Sequence, residues 1–411
     1  MYISRIYLKN IRGFGDLNLD LMEKKSGNST LSPSPRMRTI IIGKNGTCKT
    51  TLLRCVAIGL ADKKDASGLL AEDIGQLISE DSNTATIEIV LAPENSGSKE
   101  FKIITTLGSE KKQDFLMKKE PESLDRELFV CGYGALRFPG GEDKFRAYRI
   151  IDSVYTLFSY DQPNLVGSEI ALRRLRDFLG TGIYKKTMKR IKEALGLGQR
   201  DKIDLPKGGG VVVSGPEIGR HVPLEGWADG YRMTFGWLLD IYAWAMRANC
   251  LTSSGHIRGT ILLDEMEQHL HPSMQIDLLN RFSELFPDLQ IIATTHSPLV
   301  ALGALPKEIV VLRREGKRVI ADSEMPDFSG YSAEDMLADS KLFDSDVYSP
   351  ETNKKLTEYR RIISKPAKTR KKTEEDRLKS LTAELMAQEV LEDKHNKIDK
   401  QLKKLITKYE L

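Results

Sequence analysis

No stretch of the 411-residue chain approaches the run of about 18 apolar residues that a membrane-spanning helix needs; the segment from Trp237 to Met246 is broken by Asp240. No membrane association is therefore expected. Cysteine is scarce, and Cys48, Cys55, Cys131 and Cys250 have neither metal-ligand spacing nor the density of a disulfide scaffold. They read as reduced thiols. His269 and His271 stand without a cysteine or third histidine close by, which argues against a zinc site. The first residues, Met1 to Asn10, hold no apolar block of the secretory kind, so a cytoplasmic location is expected. No internal repeat is present. What remains is 40% hydrophobic and 29% charged, long enough for two or three domains or one large domain with insertions. Such a chain can build a core without disulfides or metals.

The net charge of +4 is unevenly spread. From Glu351 to Leu411 there are 17 Lys and Arg against 11 Asp and Glu, while the first 350 residues hold 45 against 47. The body is near neutral and the tail is +6, so attraction to acidic partners belongs to the tail or to local patches. Within the tail, Arg360, Arg361, Lys365, Lys368, Arg370, Lys371 and Lys372 have no acid among them. They read equally as a phosphate-binding patch and as a solvated linker. Beyond them Leu391, Ile398 and Leu405 recur every seven residues, with Leu402 and Tyr409 alongside, which reads as a partner helix or short coiled coil, or else as a helix folding back on its own body.

Along the body, Ile3, Arg5, Tyr7 and Lys9 alternate into Ile11-Arg12-Gly13-Phe14 and a second alternating run to Leu21, which predicts two antiparallel strands. Thr39 to Ile42 predicts a short buried strand, with a glycine-containing loop and a helix directly after it. Further strands are expected over Ala85 to Leu91 and Phe101 to Thr106. Gly167 to Gly198 reads as helical, with Leu172, Leu175, Phe178 and Leu179 on one face. Gly208 to Gly210 marks a turn, and a helix is expected from near Gly230. Thr260 to Leu263 and Gln290 to Ala293 read as buried parallel strands.

The strongest motif is Gly43-Lys44-Asn45-Gly46-Thr47-Cys48-Lys49-Thr50, followed by Thr51 and set between strand and helix. Such a loop aims backbone N–H groups and a helix N-terminus at a phosphate chain. Lys49 then reaches the β and γ phosphates and the Thr50 hydroxyl ligates Mg²⁺. Cys48 stands where the G-x-x-x-x-G-K-[ST] pattern has its second glycine. Downstream, Thr260 to Leu263 delivers Asp264 to a strand's C-terminal end, where it can hold Mg²⁺, and Glu265 is placed to accept a proton from an attacking water. Ile291 to Ser297 is a second buried strand ending in a polar turn. His296 there is placed to sense the γ phosphate or the water, or is structural.

Together these motifs resemble the ABC-type ATPases of the SMC, RecF and OLD group. The likeness runs from residue 1 to about 350. It includes Tyr133-Gly134-Ala135-Leu136-Arg137, the Walker B run Asp264-Glu265-Met266-Glu267-Gln268-His269-Leu270-His271-Pro272, the switch Thr295-His296-Ser297-Pro298, and Ser332 to Leu337. The resemblance implies an α/β head with a mixed central sheet, a flanking antiparallel β-layer, a helical insertion at about 165–200 and a helical tail at 351–411. It also implies that Arg12 contacts nucleotide. Trp227-Ala228-Asp229-Gly230-Tyr231-Arg232 is similar to the signature L-S-D-G-Y-R, so Ala228, Asp229 and Gly230 are expected at the ATP of an opposite subunit. Gln76 is a weak candidate for the Q-loop glutamine.

The interval from Thr50 to Trp227 is too short for a long coiled-coil arm, and the tail too short and strand-poor for a topoisomerase-primase nuclease domain. The expected protein is an ATP-gated homodimer or larger homo-oligomer. It is similar to ATPase subunits of anti-phage systems such as the Septu ATPase, which pairs with an HNH nuclease. A RecF-like repair ATPase acting directly on DNA and a non-hydrolysing, nucleotide-dependent scaffold are the alternatives.

Overall fold

The computed structural model describes residues 1–23, 34–70, 74–93, 100–108, 115–121, 128–137, 139–141, 147–159, 165–206, 209–366, 369–388 and 390–391. The chain divides into two compact units, Met1–Phe343 and Asp344–Leu411.

In the first unit a six-stranded sheet runs in the order Arg318–Asp322, Ile309–Glu315, Arg38–Gly43, Leu289–Thr295, Gly259–Leu263, Val130–Tyr133. The first pair is antiparallel and all the others are parallel. The parallel strands are short and almost wholly apolar because both of their faces are covered. Ile40 and Ile42 point into one core and Ile41 into another, and Leu263 and Leu262 divide in the same way. The first core holds the helices Ser168–Ala194, Asp229–Arg247 and Leu278–Leu285. The second holds the helix Lys49–Leu60 and one face of a five-stranded antiparallel sheet.

That sheet contains the alternating N-terminal strands, Tyr2–Ile11 and Phe14–Asp20, paired as the spacing predicts, with Thr84–Ala92 on the other side of the first. It continues through Phe101–Gly108 to Phe115–Glu120. Gln290 ties the two sheets together: its buried amide accepts from Ile3 N at 2.8 Å and donates to Ile3 O and Arg36 O at 2.9 Å each. The fold is thus an α/β head with a mixed central sheet, a flanking antiparallel layer and a helical segment near residues 165–200.

The helix Ser168–Ala194 departs from the sequence reading at one point. Leu172, Leu175 and Leu179 are buried, but Phe178 is 52% exposed. Successive residues are about 100° apart around a helix, so Leu179 takes the core position and Phe178 turns outward. The helix is interrupted at Gly180, whose φ is 65°, and a different face is buried beyond it, through Met188 and Ile191. Of the predicted glycine turn, Gly208 lies outside the described residues. The strand Val212–Gly215 follows it in a three-stranded antiparallel sheet with Lys202–Asp204 and Gly219–Pro223.

The second unit contains the helices Pro350–Ile363 and Lys372–Ala387. Lys355 pairs with Glu384 at 3.0 Å and Arg377 with Glu358 at 2.8 Å, a descending register that makes the two helices an antiparallel hairpin. Leu356, Ile362, Leu381 and Leu385 are buried. The acid-free basic run is not acid-free in three dimensions, since Lys365 bonds Glu374 and Arg370 is spent on the carbonyls of Ile363 and Lys365. Lys368 and the heptad positions from Ile398 onward lie outside the described residues. No helix among the described residues is long and apolar enough to cross a membrane.

Candidate nucleotide-binding site

The strand Arg38–Gly43 ends at the first glycine of the phosphate-loop motif. A Cβ on Gly43 would lie 2.6 Å from Leu312 O and 2.7 Å from Thr47 Oγ1, so only glycine lets the loop leave the sheet here. Thr47 Oγ1 then donates to Lys44 O at 2.8 Å, and Arg314 reaches across to donate to Gly46 O at 2.8 Å. Arg314 was not legible as a site residue, because its strand is distant in sequence. Cys48 adopts φ 63° and ψ 27°, the left-handed conformation natural to the glycine it replaces, and is the N-cap of the helix Lys49–Leu60. That helix has no acidic residue of its own in its first turn, so its free N–H groups and positive dipole end suit an anion. Lys49 is buried, with Nζ donating to Gly43 O at 2.7 Å and Lys44 O at 3.2 Å, and desolvation lowers its pKa.

The Walker B strand Gly259–Leu263 is not the neighbour of the phosphate-loop strand. Leu289–Thr295 lies between them, hydrogen-bonded in parallel to both. Its end therefore sits at the centre of the site. Thr50 Oγ1 donates to Asp264 Oδ2 at 2.6 Å, and Thr294 Oγ1 donates to Asp264 Oδ1 at 2.6 Å. The same Thr294 oxygen accepts from Glu265 N at 2.9 Å. Glu265 has φ 49°, and its charge acts on both Lys49 and His296. Glu267 accepts from Thr295 Oγ1 and from His296 N, each at 2.7 Å, anchoring the switch turn. Burial, and then the charge of Lys49, lower the pKa of half-buried His296, so its ring is neutral at neutral pH.

Arg12 lies beside this helix. Its Nε donates to Gln76 O at 3.1 Å and its Nη1 to Thr51 Oγ1 at 3.5 Å. Gln76 meets Arg12 through that carbonyl. At the end of the strand next to Walker B stands Arg137, 2% exposed, which donates to the carbonyls of Gly134, Asp264 and Glu265. Burial lowers its pKa to about 10, so it stays cationic at neutral pH.

Asp229–Arg247 begins at the signature segment, with Ala228 as an N-cap that makes no side-chain hydrogen bond. Trp227 stacks on Tyr231 with ring centroids 5.0 Å apart, and Asp229 accepts from Arg232 at 2.8 Å. A Cβ on Gly230 would lie 2.1 Å from His269 O, so this helix start abuts the turn after Walker B. His271 is an N-cap, its ring nitrogen accepting from Ser273 N at 3.3 Å.

A hydroxyl and a carboxylate 2.6 Å apart are the hard oxygen donors that Mg²⁺ takes. No group of three or more His, Cys, Asp or Glu able to hold a metal occurs among the described residues. The pair fits an ion that keeps waters and phosphate oxygens as its other ligands, not one held in an all-protein cage.

A family model described as AAA domain matches residues 5–153, and one described as AAA domain, putative AbiEii toxin, Type IV TA system, matches residues 238–302. The Septu protein PtuA of Bacillus mycoides (strain KBAB4) is 24% identical over 384 residues, covering 91% of this chain and 49% of that protein. The Retron Vc95 probable ATPase of Vibrio cholerae serotype O1 biovar El Tor is 30% identical over 118 residues, 28% of this chain and 23% of that protein. The chain thus spans about half the length of the first of these relatives and less of the second. The SMC head domain from Thermotoga maritima aligns with 78% of this chain and 98% of its own, at 16% identity and a TM-score of 0.44. The chain carries, in sequence order, a phosphate loop, a signature-like segment, the Walker B acids and the switch turn, and the family models and relatives support an ABC-type ATPase of the SMC, RecF and OLD group.

Proposed function

We propose that this protein binds ATP with Mg²⁺ between two copies of itself, hydrolyses it slowly, and uses the nucleotide state to control a separate effector in anti-phage defence. The observation that carries the reading is the pair of hydrogen bonds by which Thr50 and Thr294 hold Asp264, joining the phosphate loop, the switch strand and Walker B at one point. Lys49 exchanges its two loop carbonyls for the β and γ phosphates, and the helix N-terminus neutralises the chain. Thr50 and Asp264 would hold Mg²⁺, which supplies charge stabilisation on the phosphate oxygens. Glu265 takes the proton of a water whose oxygen attacks the γ phosphorus; the bond to the bridging oxygen breaks and ADP leaves with that electron pair. Neutral His296 donates a hydrogen bond to the γ phosphate or to the water. Ala228, Asp229 and Gly230 of a second copy close the site from outside.

The likeness to the Septu and retron proteins supports the defence setting, and an HNH nuclease is the effector we propose from the resemblance of the sequence motifs. In titrations with ATP and Mg²⁺, Lys49→Ala is expected to lose about 10- to 100-fold in affinity, the worth of a charge-assisted contact. Unchanged affinity would refute the site. The scaffold reading draws on Ala228, which has no hydroxyl to cap its helix or meet a phosphate. Equal, near-zero phosphate release by the wild type and Glu265→Gln would favour it.

A further inference from the structure

Glu265, the proposed general base, has its own backbone in the left-handed region, at φ 49°. That conformation is costly for a residue with a side chain and persists only where the surroundings enforce it. Besides main-chain bonds such as Gln268 N to Glu265 O at 3.1 Å and Met266 N to Thr294 O at 3.0 Å, two side chains bond the backbone of this turn. On one side Thr294 Oγ1 accepts from Glu265 N at 2.9 Å. On the other the Arg137 guanidinium donates through one nitrogen to both Asp264 O and Glu265 O, the latter at 3.0 Å. The guanidinium is held in turn, with Nε on Gly134 O at 2.8 Å and Cζ 5.5 Å from the Trp237 ring centroid. Trp237 belongs to the helix that the signature segment opens.

From this geometry we infer that Arg137 is a positioning residue for the hydrolytic step: it fastens the backbone of the Asp264–Glu265 turn and thereby sets the direction of the Glu265 carboxylate. A planar fork suits the task because it satisfies several carbonyls at fixed angles, which a lysine ammonium does not. The contact with Trp237 makes the same side chain a second link between the Walker B turn and the signature helix, besides the approach of Gly230 to His269 O. A residue so buried and so fully used by main-chain carbonyls has no solvent role to account for its charge. This inference rests on the ATPase reading for its consequence, though not for the geometry of the turn.

The test uses the full chain with Arg137→Lys and Arg137→Ala. Steady-state phosphate release should show kcat lowered about 10- to 100-fold with ATP affinity within about threefold of the wild type. Millimolar guanidinium ion should restore part of the rate in Arg137→Ala alone. In parallel, amide hydrogen exchange of the nucleotide-free proteins should quicken at residues 264–270 in both variants and stay unchanged in the strand 259–263. Unchanged exchange at 264–270, or a loss of affinity equal to the loss of kcat without guanidinium rescue, overturns the inference. Should Arg137→Ala fail to fold, Arg137→Lys carries both measurements. If the wild type hydrolyses no ATP, the ATPase reading falls, and the exchange measurement still decides whether Arg137 holds the turn.

Discussion

Thr50 and Asp264, 214 positions apart in the chain, are hydrogen-bonded at 2.6 Å. A threonine hydroxyl and a carboxylate so close share one ion more readily than either binds it alone. Replacing Asp264 by Asn keeps the shape and removes the charge. The affinity for ATP in the presence of Mg²⁺ should fall at least about tenfold, while affinity in chelator stays unchanged. Isothermal titration in the two buffers checks this, and equal losses in both would assign Asp264 to the nucleotide and not to the ion.

Cys48 holds the left-handed conformation of the glycine usual at its position, with φ 63°. A side chain there costs about 1–2 kcal/mol. Glycine removes that cost but frees the unfolded chain by about 0.4–1 kcal/mol. Cys48→Gly should therefore be slightly more stable than the wild type in urea unfolding, and phosphate release should not fall. A clear loss of stability would mean that packing of the Cys48 sulfur near Gly13 outweighs the backbone term.

Asp240 lies fully buried in the helix Asp229–Arg247, its carboxylate accepting from Tyr133 Oη and from Val166 N at 2.7 Å each. Burial outweighs these bonds and pushes its pKa from 3.8 up to about 6. The folded state then holds the proton more tightly than the unfolded one. Stability from this group is full below about pH 4 and is lost as the pH rises through about 6, a change on the order of 3 kcal/mol. Asp240→Asn should flatten the dependence of unfolding free energy on pH in that window. Parallel curves for the two proteins would show that the carboxylate is ionised throughout.

The tail forms a hairpin whose basic residues are partly spent on Glu358, Glu374 and Glu384. Removing residues 351–411 should leave ATP affinity unchanged and abolish co-purification with the proposed effector, an HNH nuclease. A truncated chain that keeps its partner would reduce the +6 charge to a solvated surface.

Much of the site was legible in the sequence because its chemistry is local. The phosphate loop is one contiguous stretch, Asp264-Glu265 and His296 each end an apolar run, and the alternation of Ile3 to Lys9 specifies a strand with one buried face. Those short-range patterns also named the family. They did not contain the strand order. Periodicity tells a strand which faces to bury but not which strand lies beside it; the crossover connections and the packing of the helices decide that. Only the tertiary structure therefore puts Leu289–Thr295 between the other two strands, so that Thr294 holds Asp264, and brings Arg137 and Arg314 to backbone carbonyls of the two motifs. The acidic neighbours of the tail's basic run follow the same rule. A helix fixes its own contacts within about four residues, and the pairing of Arg377 with Glu358 exists only after the hairpin closes.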